Sequence, residues 1–329
     1  MRVVAGWSGR TSKSLADDLL GLILEQSVDA QITEARPDVV AELVSLHSLK
    51  ESRFPGAAHA PMIAETLACA ELLTARGVGP LRVPGVRVKV PELLDFDHEG
   101  WITLLDLYDE LPRHWALVGG QMIHMHCWQR GRQAPRVTTD VDIIMDIRAK
   151  RTVLASVTRF LQERGFEEDG RSPTNVGHRW KRHRLSIDVL IPEGLNERGS
   201  RARTTTGART VQVPGGTQAI QRAQAVEVEV AGRVGRIIRP SLLGALVGKA
   251  ASLEIAVDPA RDRHSSDFAT LASLIDNPVA MSHLVKPKDR RRAAAMIGHL
   301  PATDPAWRVS GTGEAARAAA TMAFGLHTW

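Results

Sequence analysis

The chain has 329 residues, of which 43% are hydrophobic and 24% are charged, proportions typical of a globular protein with a substantial core. The formal net charge of +5 is a modest basic excess, and aromatic residues at 4% do not indicate surfaces that stack nucleic-acid bases. Two cysteines exclude a disulfide framework or a cysteine zinc site, and no apolar run approaches the roughly 20 residues that span a bilayer, so we expect a cytoplasmic protein without a membrane partner.

Three regions follow one another along the chain. Residues 1–92 carry apolar residues at helical spacing, for example in SLADDLLGLILEQ and MIAETLACAELLTARG, and predict a helical N-terminal extension. Residues 93–239 alternate between helix and strand patterns, and residues 240–329 are helical again. We therefore predict an α/β (α+β) protein in which a mixed sheet flanked by helices lies between a helical extension and a C-terminal helical lobe.

The central region contains the sharpest patterns. In chain order we predict a helix in WITLLDLYDEL, a buried strand in WALVGG, a helix in QMIHMHCWQRG, a strand in TTDVDIIMD and a helix in AKRTVLASVTRFLQERG. HRWKRHRLSIDVLIP is either one strand or a hairpin whose second arm is LSIDVLI, and AVEVEVAGRVGRIIRP is a hairpin that turns near Gly232.

The strand TTDVDIIMD carries two carboxylates on one face. Alternate side chains of a strand point to opposite faces, so Asp140 and Asp142 lie on the same side with Cα atoms roughly 7 Å apart. Two such carboxylates repel each other unless a cation lies between them. The alternative is an edge strand with one solvated face. Asp146 is expected to end the strand.

Two further features point to the same chemistry. The strand WALV ends in Gly119 and Gly120, where a backbone without Cβ atoms and a helix N-terminus let a phosphate approach closely, although such a turn also serves packing. Asp188 is isolated among the apolar residues of LSIDVLI. If its strand neighbours the first aspartate strand, three carboxylates converge, as two-metal phosphoryl transfer requires.

These motifs resemble a known family. LVGGQMIHMH, RVTTDVDIIMD and LSIDVLIP, in this order, are similar to the nucleotidyltransferase fold shared with DNA polymerase beta, and in particular to the branch that contains the AbiEii-type toxins of toxin–antitoxin and phage-defence systems. The resemblance continues through GALVGKAASL and RHSSDFATL and covers roughly residues 100–275. Residues 1 to about 90 have no counterpart in it.

The resemblance implies a role for nine residues. Asp140, Asp142 and Asp188 would bind two catalytic Mg²⁺ ions, or Mn²⁺, and Asp188 would also act as or beside a general base. Lys249 would be catalytic by neutralising phosphate charge of the NTP, which could be ATP. The nucleotide-binding residues would be Gly119, Gly120, Arg136, Thr138, Lys249 and Asp267.

Each role has an alternative. Lys249 could lie along the protein surface with its ammonium in water, and Asp267 could be an N-terminal helix residue stabilised by the helix dipole. The sequence also departs from the family pattern, because Gly120 stands where many members have serine and His264 stands where a carboxylate often opens the last motif. Of the neighbouring histidines His124 and His126, one is expected to face inward.

The substrate that accepts the nucleotide is predicted from charge. Residues 171–209 include nine basic and only three acidic residues, and one of the acidic residues is Asp188. A polyanion such as tRNA would be drawn to this basic tract, so the leading hypothesis is a Mg²⁺-dependent transfer of NMP to a hydroxyl of RNA, at the tRNA 3′ end, or of protein, in a toxin that has a cognate antitoxin. The alternatives are an aminoglycoside-type small-molecule nucleotidyltransferase and a non-catalytic binding or regulatory protein.

Overall fold

The computed structural model describes residues 81–82, 87–91, 95–136, 138–255, 258, 260–308 and 313–326. Most of the predicted N-terminal extension lies outside these ranges. The described part of it contributes two strands of two residues each, β1 (Leu81–Arg82) and β2 (Val88–Lys89). No helix in the described part of the chain is both long enough and apolar enough to cross a membrane.

A six-stranded mixed sheet forms the centre of the protein. Its strands are β3 (Trp115–Val118), β4 (Val141–Met145), β5 (Glu167–Glu168), β6 (Arg179–Arg182), β7 (Leu185–Pro192) and β8 (Val211–Val213). The order is β3-β4-β7-β6-β5, and β8 pairs with the C-terminal part of β7. The strand β4 is antiparallel to β3 but parallel to β7, so the two predicted aspartate strands are neighbours.

A second sheet combines β9 (Ala223–Val230) and β10 (Arg233–Pro240) with β1 and β2. The predicted hairpin is confirmed: β9 and β10 are antiparallel, and the two residues between them, Ala231 and Gly232, both have positive φ. This is the backbone that a two-residue turn needs to match the twist of its strands. The strands β1 and β2 pair with β9 in parallel.

Helices flank the sheets and form the C-terminal part of the chain. They are α1 (Asp95–Glu110), α2 (Gly119–Trp128), α3 (Val153–Glu163), α4 (Glu197–Ser200), α5 (Gly216–Gln221), α6 (Leu242–Ala250), α7 (Arg261–Ala272), α8 (Pro278–Ser282), α9 (Pro287–His299), α10 (Pro305–Arg308) and α11 (Gly313–Ala323). A 3₁₀ turn, Ala251–Glu254, continues α6. The predicted mixed α/β architecture is confirmed.

One apolar core runs through these elements. The strand β7 is buried along almost its whole length because three strands border it and helices cover it, and this explains its continuous apolar sequence. The apolar residues of α3 lie on one face of the helix, and this face is buried in the core. The same cluster of buried side chains continues from Val88 to Phe324, so the C-terminal helices share a core with the sheet.

Candidate active site

The strand register brings two of the predicted aspartates side by side. Asp142 pairs with Val118 of β3 on one side and with Asp188 of β7 on the other. Adjacent strands are roughly 5 Å apart, so the two carboxylates leave neighbouring backbone positions of a parallel pair. Asp140 precedes the same strand by one residue and influences Asp142 electrostatically. The predicted convergence of the two strands is therefore confirmed.

The surroundings of Asp142 disfavour the charged form of its carboxyl group. Its pKa is raised to about 6: burial is the largest cause, Lys249 and Arg179 oppose the rise, and Asp188 and Asp140 contribute to it. A carboxylate that is desolvated and surrounded by like charges favours a proton or a cation. This is the electrostatic property that a cation site requires.

The two glycines that follow β3 fit closely around these side chains. Gly119 has φ +67°, and a Cβ at this residue would lie 1.7 Å from Oδ2 of Asp142. A Cβ at Gly120 would lie 2.7 Å from Cγ2 of Thr138 and 3.0 Å from Nη2 of Arg136. Glycine at 119 and 120 thus lets the Asp142 carboxylate and the Thr138 segment lie directly against the start of α2.

The start of α2 has backbone amides without side-chain caps. Val118 is the N-cap residue, and no side chain in the described part of the chain accepts a hydrogen bond there. The first amides of a helix have no partner within the helix and carry its positive dipole end. Together with the absence of Cβ atoms, this makes the Gly119–Gly120 turn suited to an anionic group.

Two side chains of α2 hold the segment that leads to the aspartates. Gln121 donates through Nε2 to the carbonyl of Thr138 at 2.8 Å, and His124 Nε2 lies 2.7 Å from the carbonyl oxygen of Arg136. Burial lowers the pKa of His124, so it is a neutral hydrogen-bonding group. His126 is also buried and bonded to the carbonyl of Pro240, so both histidines face inward rather than one.

A second cluster unites three further predicted residues. Asp267, only 3% exposed, accepts hydrogen bonds from Arg136 Nε at 2.9 Å and Nη2 at 3.0 Å, and its Oδ2 lies 2.8 Å from Nζ of Lys249. Burial alone would raise the pKa of Asp267, but Lys249 and Arg136 together lower it. We call this the Asp267 clamp. One carboxylate holds two cations beside the Gly119–Gly120 turn and leaves a net positive charge there.

The structure decides two of the alternatives for these residues. Lys249 is buried and paired, so it does not lie on the surface with its ammonium in water. Asp267 is the seventh residue of α7, beyond the reach of the dipole at the helix N-terminus. His264, one turn earlier, has a pKa lowered to about 4 by burial and by the nearby Lys249, so it stands there as a neutral group.

The third aspartate has a partner that was not predicted. Arg179 of β6, which pairs with Asp188 in the antiparallel register, donates to Oδ1 through Nε and to Oδ2 through Nη2, both at 2.8 Å. Within the described ranges, no three His, Cys, Asp or Glu side chains are grouped so that they could hold a metal ion. The chemistry of Asp140 and Asp142 fits a hard cation, but Asp188 fits only if Arg179 moves away.

The predicted basic tract is largely neutralised. Side chains of the tract form ion pairs within the protein: Arg171 with Glu168, Arg179 with Asp188, Lys181 with Asp169, Arg182 with Glu99 and Arg201 with Glu197. Arg201 and Arg203 line a separate cavity of about 450 Å³ beyond the C-terminal end of β4, whereas Asp142 lies near its N-terminal end. The tract is therefore not one continuous cationic surface at the aspartates.

Comparisons with known proteins find a similarity in structure but none in sequence. No protein-family model and no curated protein sequence matches the chain. The solution structure of the antibiotic-resistance factor ANT(2'')-Ia is similar with a TM-score of 0.35 and 14% sequence identity, over 61% of this chain and 95% of that one.

Proposed function

We propose that this protein is a metal-dependent nucleotidyltransferase, which moves NMP from an NTP to a hydroxyl group and releases pyrophosphate. The observation that carries the proposal is the position of Asp142, beside Asp188 on a parallel strand and in contact distance of the Gly119–Gly120 turn. Carboxylates next to a turn of uncapped amides are the combination that a metal-bound triphosphate requires.

In this proposal the carboxylates bind the cation, and backbone amides and basic side chains bind the phosphates. Asp140 and Asp142 would hold Mg²⁺, with Asp188 joining them once Arg179 has moved. Bound Mg²⁺ would offset phosphate charge and lower the pKa of the attacking hydroxyl. The amides of the Gly119–Gly120 turn would bind the triphosphate, and Thr138 lies against this turn. The Asp267 clamp presents Arg136 and Lys249 as fixed positive charges for the same group.

The identity of the acceptor is a second part of the proposal. A hydroxyl of RNA, such as the tRNA 3′ end, or of a protein follows from the resemblance to the AbiEii-type branch. The internal pairing of the basic tract, however, removes much of the charge that would attract tRNA, and this observation favours a small acceptor of the aminoglycoside type as the second candidate.

A transfer assay tests the proposal. The protein is incubated with each α-³²P-labelled NTP and Mg²⁺ in the presence of total tRNA, a cell extract or a panel of aminoglycosides. We expect label in one acceptor class, and none with Asp142→Ala or with EDTA. Transfer that survives Asp142→Ala would overturn the proposed site. Nucleotide binding without transfer to any acceptor would indicate the non-catalytic binding protein instead.

The toxin role implied by the resemblance has its own test. We expect induced expression of the wild-type chain in a bacterial host to stop growth, and expression of Asp142→Ala at equal level to permit it. A small open reading frame next to the gene, co-expressed, should restore growth if it encodes a cognate antitoxin. Normal growth with the wild-type chain would contradict the toxin role but leave nucleotidyl transfer to the labelling assay.

A further inference from the structure

Arg179 reaches from the protein surface into the aspartate cluster. Its side chain is 37% exposed, whereas that of Asp188 is 10% exposed, and both carboxylate oxygens of Asp188 accept a hydrogen bond from its guanidinium. The forked geometry matches a carboxylate and makes this a strong, charge-assisted contact. Asp188 therefore has a positively charged partner within the protein itself.

The same guanidinium acts on all three aspartates. It donates two hydrogen bonds to Asp188, and it also interacts electrostatically with the negative charges of Asp140 and Asp142. Lys249, which also acts on Asp142, is held by Asp267. Arg179 is thus placed to reduce the repulsion among the aspartates when no other cation does so.

We propose that Arg179 is an internal counter-ion that competes with a divalent cation for Asp188. We call the state in which Arg179 is bound to Asp188 the closed state. A cation can contact all three aspartates only after Arg179 has left Asp188. The proposal rests on the proposed function and adds a gating residue to that site. Among the described residues, the hydrogen bonds recorded for the Arg179 side chain run to Asp188, so its release breaks this one contact.

Competition of this kind has a consequence for affinity. The apparent affinity for the cation falls by the fraction of molecules in which the site is open, so a variant that cannot close should bind the cation more tightly. A residue that merely supports the fold would have the opposite effect or none. The direction of the change in affinity therefore separates the two roles.

The test measures Mn²⁺ binding by electron paramagnetic resonance of the unbound ion, with wild type, Arg179→Gln and Arg171→Gln. Arg171 is a matched control, because it makes an equivalent two-pronged contact, at 2.7 and 2.8 Å, with Glu168 away from the aspartates. We expect Arg179→Gln to bind Mn²⁺ at least about tenfold more tightly than wild type. Arg171→Gln should bind it as wild type does. Arg179→Lys keeps the charge but lacks the forked guanidinium, so its Mn²⁺ affinity should lie between those of wild type and Arg179→Gln. It replaces Arg179→Gln in the test if that variant does not fold.

Each other outcome overturns the proposal in a recognisable way. Equal Mn²⁺ affinity of wild type and Arg179→Gln, with wild-type label transfer intact, would show that Arg179 does not compete with the cation. The proposed nucleotidyl transfer would still stand. Weaker binding by Arg179→Gln would show that Arg179 assists the site rather than competes for it. If neither protein binds Mn²⁺ and the wild type transfers no label, the gate and the proposed function both fail.

Discussion

At the scale of single residues, the glycines at 119 and 120 are fixed by their neighbours as well as by their backbone. Gly119 combines a positive φ with an overlap between any Cβ and the Asp142 carboxylate. Gly131, also on a turn, has nearly the same φ of +64° but no heavy atom within 4 Å of the position of a Cβ. The pair allows the cost of the backbone to be separated from the cost of the overlap.

Gly119→Ala should be much more damaging than Gly131→Ala. The positive φ costs each alanine variant roughly 1–2 kcal/mol. Gly119→Ala should lose about 1–3 kcal/mol more, because the methyl group displaces the Asp142 carboxylate, and it should lose Mg²⁺-dependent nucleotide binding. Urea unfolding and nucleotide titration of both variants check this. Equal losses of stability would show that the Asp142 side chain does not lie against the turn.

Asp142 predicts how stability depends on pH. Its folded pKa of about 6 is above the unfolded value near 3.9, so its stabilising contribution is present at low pH and is lost as the pH rises through 6. Asp142→Asn stays neutral and should be more stable than metal-free wild type above pH 6, by about 3 kcal/mol, with the gap closing toward pH 4. Urea unfolding of both proteins in EDTA, at pH 4.5 and at pH 8, measures the difference in their free energies of unfolding. A gap that is the same at both values would refute the raised pKa.

At the scale of elements, the Asp267 clamp joins three parts of the chain. Asp267 lies on α7, Lys249 on α6, and Arg136 in the segment before β4. The clamp therefore fixes the helical side of the site relative to the aspartate strand. Its energetic importance follows from burial, since both Asp267 and Lys249 are shielded from water.

Asp267→Asn should be strongly destabilising because it leaves two cations without their counter-charge. We expect a loss of about 3–5 kcal/mol in the free energy of unfolding. The control is Asp276→Asn, whose side chain is 78% exposed and pairs with Arg130, and which should cost less than about 1 kcal/mol. Urea unfolding of both variants compares them. A loss for Asp267→Asn as small as that of the control would mean that Lys249 and Arg136 do not depend on it.

Much of this site could be predicted from the sequence, and the rest was missed for physical reasons. The alternation around Asp142 and the isolation of Asp188 among apolar residues indicate two strands that are buried and carry carboxylates. The Arg179 contact was also accessible: a two-residue turn at His183 and Arg184 sets a register that places Arg179 opposite Asp188. It was missed because Arg179 was counted as part of a basic tract, and charge counts do not show which cations are already paired.

At the scale of the whole molecule, an ionic network around the buried Arg292 ties the C-terminal helices to the sheet. Arg292 of α9 bonds to Glu254 after α6 at 2.6 and 2.7 Å, to Glu193 after β7 at 3.1 Å and to Gln218 of α5 at 2.6 Å. These partners lie up to 99 residues away in the sequence, and no local pattern predicts such contacts. The network and the continuous apolar core cross the predicted boundary at residue 240.

The described elements should therefore unfold together. Arg292→Met keeps the volume but leaves Glu193 and Glu254 without their main cation, and we expect a loss of about 2–4 kcal/mol. Calorimetry should show one transition for wild type and the variant, shifted to lower temperature in the variant. Two separate transitions, only one of which shifts, would show that the C-terminal helices form an independent unit.

We propose that Asp142 and Asp188 form, beside the Gly119–Gly120 turn, a site for a metal-bound nucleoside triphosphate. Isothermal titration of the four NTPs tests it most directly, with and without Mg²⁺, in wild type and Asp142→Ala. We expect binding heat for at least one NTP in wild type only with Mg²⁺ present, and none for Asp142→Ala. Binding that is indifferent to both Mg²⁺ and Asp142, or no binding of any NTP, would contradict it.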